Sequence, residues 1–479
     1  MVHITMINFK NTYDKLPSIL FKEFTPCLFP KSEVLIVNQN LAKELNLEFS
    51  KISSHKLAQI FTAQKIEGHP KAIAQAYSGH QFGHFNPTLG DGRAALLGEI
   101  LDELGNRRDL QIKGSGPTYY SRAGDGMLSL GPAIREYIVS EAMSKLGVPT
   151  TRSLAICLTG QSVYRESTEI GATLTRIASS HIRIGTFEFV ATQNDKKLLK
   201  EFTDYTINRH FPDLLAYKPE EKYLEFIEKV AQKQAYMVSR WMSLGFIHGV
   251  MNTDNMTITG ETIDYGPCAF LDDYSENKSF SYIDRNGRYR YGNQIEIAKW
   301  NLYRLASTLI PLIHEKEDLS VNLIKERLNS CMKYYDEFWL QEMSKKFGIS
   351  NPNQDDKNLI QTFLQELEKK KADYTQSFSD LTNNDDLFYE NFHEKNLLDQ
   401  IKLRQNNKSN ELMKKNNPYF IPRNHQIEKA IKNAYEDDFQ LFHEILKAIE
   451  NPFILNDDNR FLFDSPSFQE AVKNTFCGT

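Results

Sequence analysis

His248-Gly-Val-Met-Asn-Thr-Asp-Asn255, followed shortly by Ile263-Asp264-Tyr265-Gly266, is the stretch that decides the fold. It follows a segment, about 219–244, whose apolar residues recur at i, i+3 and i+4, with Pro219 in the first turn and no proline inside. That spacing predicts one long helix. Between the two stretches, Met256–Ile263 reads as a short hairpin with Gly260-Glu261 at its turn. Asn255 and Asp264 carry hard oxygen atoms of the kind Mg²⁺ takes. Mg²⁺ needs only one or two protein carboxylates when phosphate oxygens complete its shell.

This order matches the protein-kinase catalytic loop, H-R-D-L-x-x-x-N, and the strand–Asp–aromatic–Gly element that follows it. His248 falls on the first position, Met251 on the apolar fourth and Asn255 on the metal-binding last. Val250 stands where kinases carry the catalytic Asp, and Asp254 is the only carboxylate of the loop. Upstream, Lys113 closes the strand-like run Leu110–Lys113, and Glu136 lies in a predicted helix over 132–147. A lysine turned into a cleft must meet a carboxylate or an anion, and kinases use a Lys–Glu pair to aim at ATP phosphates. Gly90-Asp91-Gly92-Arg93 would let backbone N–H groups approach phosphate oxygens while Arg93 neutralises them. A G-x-G turn alone is commonplace in hairpins, and a lone Lys or Glu is usually solvated. The weight comes from four pieces in kinase order.

Farther out, 93–101 and 108–113 read as strands joined through Gly105-Asn106, with three more strand candidates at 153–158, 162–166 and 172–178. Glycines crowd between Gly79 and Gly185 and become scarce after Gly292. Helices are expected from about 293 onward, interrupted by polar breaks near 373–386 and 406–418. The expected class is α+β, a kinase-like bilobal fold with a small sheet lobe, a helical lobe and a helical C-terminal extension. The expected divisions are 1–75 packing on the core, 76–190 binding nucleotide, 191–315 carrying the catalytic and metal loops, and 316–479 as the extension. A cleft between the lobes is the expected ligand site.

The 479 residues are 41% apolar and 25% charged, an ordinary globular composition. A formal net charge of -5 argues against a nucleic-acid partner. With no long apolar run and no signal or transit pattern at the N-terminus, a cytoplasmic location without membrane contact is expected. The five cysteines are dispersed and include no CxxC pair, so neither a zinc ribbon nor a disulfide framework is indicated. His80 and His84 stand at i, i+4 beside glycines that disfavour a helix, so a structural role is expected for them.

The segments AQAYSGHQFGHFNPTLGDGRAALLGEI, DLQIKGSGPTYYSRAGDGMLSLGPAIREYIVSEAM, TRIASSHIRIGTFEF, HGVMNTDNM, IDYGPCAFLDDY and GNQIEIAKWNLYRLA resemble the selenoprotein O family, the kinase-like protein adenylyltransferases. They extend over about 75–310. The resemblance implies that ATP is held flipped, so that AMP rather than phosphate passes to Ser, Thr or Tyr of a protein partner. It implies nucleotide contacts at Gly90, Gly92, Arg93, Lys113, Asp125, Gly126, Arg176, Arg183 and Asp264, with Asp254 as the catalytic residue. Asn255 and Asp264 are the implied ligands of Mg²⁺ or Mn²⁺, and some members transfer UMP from UTP. Members often end in a redox-active Cys or selenocysteine third from the C-terminus, the place of Cys477 here, with Cys268 as the nearest partner candidate.

Two other readings stay open on the residues. One is a conventional kinase with Asp254 as base; the other is an inactive ATP-binding scaffold, against which the intact Lys113, Glu136, Asn255 and Asp264 set argues. The target proteins and the oligomeric state are not legible.

Overall fold

The computed structural model describes residues 7–64, 71–384, 395–455 and 457–475. The strands, in chain order, are β1 (Phe21–Glu23), β2 (Glu33–Val37), β3 (Ile73–Gln75), β4 (Gly79–Gln81), β5 (His84–Asn86), β6 (Ala94–Leu101), β7 (Arg107–Lys113), β8 (Leu128–Ser129), β9 (Arg152–Tyr164) and β10 (Thr168–Ala178). Eight of them form one sheet, ordered β1-β3-β6-β7-β10-β9-β2, with β8 also on β10. All its pairings are antiparallel. β4 and β5 make a separate hairpin.

The expected β6–β7 hairpin forms, with Gly105 at φ +79 in its turn. The candidates 153–158 and 162–166 are instead one strand, β9. Its Thr159–Gln161 segment bulges against β10, where the register shifts between Ile170 and Ala172. Gly160, at φ +66, supplies the left-handed residue that lets the strand continue through the bulge. The Met256–Ile263 hairpin is reduced to one antiparallel bridge, Met256 to Thr262. The first 75 residues are more than a cover, because β1 and β2 supply the two outer strands of the large sheet.

Under the sheet lies the helix Leu130–Lys145, which starts two residues ahead of the expected 132 and carries buried Ile134, Tyr137 and Ile138. Pro219–Leu244 forms the long helix, and Gly245 ends it in the left-handed conformation at φ 70. Its buried stripe includes Phe226, Ile227, Val230 and Trp241, and Gln294–Thr308 and Glu317–Lys346 pack against it. The sheet lobe and the helical lobe are thus distinct parts of a mixed α and β chain.

Each expected polar break contains a helix, with non-helical residues among those described only at its flanks, as at 405–408 and 417–423. Tyr374–Asn383 is a helix capped by Asp373, which accepts from the Gln376 N–H at 2.8 Å. Its Tyr374, Phe378 and Leu381 share the buried face. Ser409–Asn416 is also helical. Caps and solvent-facing amides gave both segments a polar composition without removing the apolar period. The remainder of the first break, 385–386, lies outside the described residues.

The C-terminal helices Asn424–Tyr435 and Gln440–Ile449 return to brace Leu130–Lys145, with Tyr435 OH accepting from Gly131 N–H at 3.3 Å and Phe442 packing on Tyr137. Arg423, fully buried, pairs with Asp272 at 2.6 Å and Asp373 at 2.9 Å and donates to Phe463 O at 3.1 Å. No described helix is long and apolar enough to cross a membrane. Removing Arg423 strands two carboxylates, so Arg423→Met should lower stability by about 3–5 kcal/mol, read as a fall in the urea midpoint.

Candidate active site

A cleft of about 740 Å³ lies between the sheet lobe and the loops of the helical lobe. Gly90, Gly92, Arg93, Lys113, Asp125, Gly126, Arg176, Arg183, Asp254, Asn255 and Asp264 all line it, although they come from segments 174 positions apart in the chain. Glu136 stands behind them, and Cys477 lies outside the described residues. Cys268 is buried beside the metal-loop segment.

Charge organises the cleft wall. Lys113, at the end of β7, reaches Glu136 Oε2 at 2.7 Å and Asp264 Oδ1 at 3.5 Å. Arg176, from β10, donates through Nε to Glu136 Oε1 at 2.8 Å and through Nη2 to Asp264 Oδ1 at 2.8 Å. Arg183 Nη1 donates to Asp264 Oδ2 at 3.2 Å and to the Asp254 carbonyl at 2.7 Å. Burial works against ionisation of Asp264 and Glu136. For Asp264, Arg176, Lys113 and Arg183 outweigh it and hold the carboxyl well below the usual range; Arg176 and Lys113 lower Glu136 likewise. Asp264 itself sits at φ +65, a left-handed backbone that costs a non-glycine residue energy and that the surrounding ion pairs sustain.

Asp254 has the opposite environment. Burial dominates and pushes its carboxyl up to about 7, against the opposing pull of Arg183. Its Oδ2 accepts from Gln81 Nε2 at 3.3 Å, while Oδ1 is buried without a hydrogen bond. Gly79 permits this placement, since a methyl there would lie 2.5 Å from Asp254 Oδ1. Gly90, at φ +67, similarly lies against the Tyr120 ring, where a Cβ would collide.

The catalytic-loop pattern folds as a rigid unit. His248 is buried, stacks on Trp241 and donates from Nε2 to Ile263 O at 2.8 Å, tying the loop to the residue before Asp264. A carbonyl can only accept, so this nitrogen carries the proton. Asn255 donates from Nδ2 to Val250 O at 3.1 Å, leaving Oδ1 as the atom able to ligate. Asn252 Oδ1 accepts from Tyr289 OH at 2.6 Å and Phe82 N–H at 3.1 Å, and Thr253 Oγ1 accepts from His80 N–H at 2.7 Å. His80 also binds Glu188 at 2.5 Å and has a structural place, whereas His84 is exposed. No group of three or more His, Cys, Asp or Glu among the described residues is arranged to hold a metal. Asn255 Oδ1 and the Asp264 carboxylate, the latter shared with Arg176, Lys113 and Arg183, are hard oxygens lining one cleft and fit a cation whose shell is completed by phosphate.

Asp91, Tyr77 and Arg165 were not singled out from the sequence. Buried Asp91 faces Arg183 at 3.6 Å and accepts from Gln75 N–H at 3.1 Å. Tyr77 lies under the Arg183 guanidinium, 4.5 Å from the ring centroid. Arg165 grips Asp125 in bidentate fashion at 2.7 and 3.1 Å. Asp91 was visible inside Gly90–Arg93; the other two have no local motif.

The raised Asp254 implies a pH dependence of stability. The folded state holds the proton more tightly than the unfolded chain, so this contribution is present at acid pH and lost as pH rises through about 7. Asp254→Asn should therefore unfold at higher urea than the parent above pH 7, by roughly 4 kcal/mol, with the gap closing toward pH 4. A gap that widens in acid would contradict the assignment.

The model of the family described as "Protein adenylyltransferase SelO" matches residues 3–450. A Clostridium perfringens protein named protein nucleotidyltransferase YdiU is 46% identical over 99% of this chain and 98% of its own. Proteins of the same name from Bacillus cereus, 44% identical over 98% of both chains, and from Nitrosococcus oceani, 45% identical over 98% of this chain and 97% of its own, match as fully. With matches of this depth along nearly its whole length, the chain belongs to the SelO family of protein adenylyltransferases.

Proposed function

We infer that this chain transfers AMP from ATP to hydroxyl side chains of proteins. It is a nucleotidyltransferase acting from a bilobal, protein-kinase-like fold in which 76–190 and 191–315 flank the nucleotide and 316–479 braces them. The observation that carries the reading is the pairing of Val250, which cannot take a proton, with Asp254, a buried carboxylate poised near neutrality in the same loop.

In the transfer, the acceptor oxygen bonds to the α-phosphorus and the bond from that phosphorus to the bridging oxygen of the β-phosphate breaks. Pyrophosphate leaves with the electron pair, and the hydroxyl proton passes to Asp254, whose tuning near 7 suits a general base. Lys113, Arg176 and Arg183, aimed from the sheet side, are the groups to hold the β- and γ-phosphates, with Arg93 and the Gly90-Asp91-Gly92 backbone beside them. Asp125 and Gly126 also line the cleft, where the Arg165 clamp orders their loop. Mg²⁺ or Mn²⁺ on Asn255 and Asp264 would neutralise phosphate charge. UTP can satisfy the same phosphate contacts, so UMP transfer follows the same geometry.

Label from the α-phosphate of ATP should appear on protein, and label from the γ-phosphate should not; γ transfer would make the enzyme a kinase. Asp254→Ala should lower the rate about 10²- to 10⁴-fold, the range of a lost general base. Lys113→Ala should abolish transfer with cooperative melting retained. Asp264→Ala should remove the metal dependence of ATP binding in calorimetry, and unchanged Mg-ATP affinity would exclude it as a ligand.

A further inference from the structure

Arg285, Arg288, Arg290 and Arg304 occupy the loop and helix that follow the metal-binding loop. None of the four has a carboxylate partner among the described residues. Of the nearby acids, buried Asp284 accepts from Arg288 N–H at 2.9 Å and Tyr289 N–H at 2.7 Å, Glu296 pairs with Lys299 at 2.8 Å, and exposed Glu276 lies against Gly292. Arg288 and Arg304 flank the Trp300 indole at 4.8 and 5.2 Å. In a chain of net charge -5, four unpaired guanidinium groups make a local region of positive potential.

This face adjoins the cleft mouth. Ile283 lines the cleft and is 59% exposed, as is the neighbouring Tyr282 to 53%. Trp300 meets the edge of His80, and Tyr289 joins Asn252, so both anchor the face to the β4–β5 hairpin and the catalytic loop. Exposed Phe85, on the same hairpin, packs against His80.

We propose that the Arg285–Arg304 face docks acidic segments of the acceptor protein, setting an adjacent hydroxyl at the cleft mouth. Guanidinium forks match carboxylates bidentately, and Tyr282, Ile283 and Phe85 give the same segment apolar contact. The proposal rests on protein adenylylation as the function of the cleft.

The test uses full-length parent chain and the R285S/R290S/R304Q variant, with peptides carrying Ser, Thr and Tyr flanked by Glu or, as controls, by Gln. Transfer of α-labelled AMP is followed, together with anisotropy of a fluorescent Glu-rich peptide that has no acceptor. Three screened charge contacts should lower KM for the Glu peptides about tenfold in the parent, with kcat equal for both sets. In the variant that preference should collapse while Mg-ATP affinity and Gln-peptide rates stay at parent values. Equal KM for both sets in the parent, or a preference that survives in the variant, overturns the proposal. Stronger competition by a single-stranded oligonucleotide than by the Glu-rich peptide assigns the face to nucleic acid and overturns it. Dimerisation that the variant abolishes assigns the face to a second copy, with the same result. If no acceptor is labelled at all, the adenylyltransferase reading fails, and the anisotropy measurement still decides whether the face holds acidic peptide.

Discussion

Asp264 is the point on which the rest of the molecule leans. Its carboxylate draws in Lys113 from β7, Arg176 from β10 and Arg183 beyond it, so two adjacent central strands of the sheet lobe and one loop of the helical lobe meet in a single charge cluster. Burying one ion in that place would be prohibitive, and burying the set is tolerable only because Glu136 and Asp264, with Asp91 facing Arg183, balance the three cations. The geometry is correspondingly intolerant: His248 fixes the backbone before Asp264, and the left-handed conformation at Asp264 turns its side chain to the cations. A nucleotide entering the cleft meets cations whose positions have been set by protein carboxylates in advance.

The same logic separates the two aspartates of the site. Asp264 is acidified by surrounding cations, whereas Asp254, ten residues earlier, is left buried with one oxygen unpartnered and is pushed toward neutrality. One carboxylate is suited to stay ionised beside a metal, and the other to exchange a proton. That division arises from placement alone, since the residue type is the same.

Legibility in the sequence followed locality. Asn255, Asp264, Lys113 and Glu136 could be found because each sits in a short pattern or on an element with clear period, and the long helix was read to its ends because Pro219 opens it and its apolar period runs on without an internal proline. The Asp91–Arg183 pair, the Tyr77 platform and the Arg165–Asp125 clamp join residues far apart in the chain, where no periodicity signals the meeting. β9 was divided in two because Gly160 reads as a terminator when the strand opposite is unknown. The helices at 374–383 and 409–416 were read as breaks because their caps and exposed amides outweighed a short apolar stripe.

The edge strands set an order of events during synthesis. β2 must wait for β9, and Val34 finds its partner Cys157 only after more than a hundred further residues have been made. Arg423 likewise must be synthesised before Asp272 and Asp373 are neutralised. A chain emerging N-terminus first therefore carries β2 unpaired until β9 has been made, and Asp272 and Asp373 without their shared cation until Arg423 follows, in the manner of proteins dominated by distant contacts. The cleft is lined by residues no later than Ile283, so a product truncated before Arg423 holds every lining residue of the cleft but lacks the brace behind it.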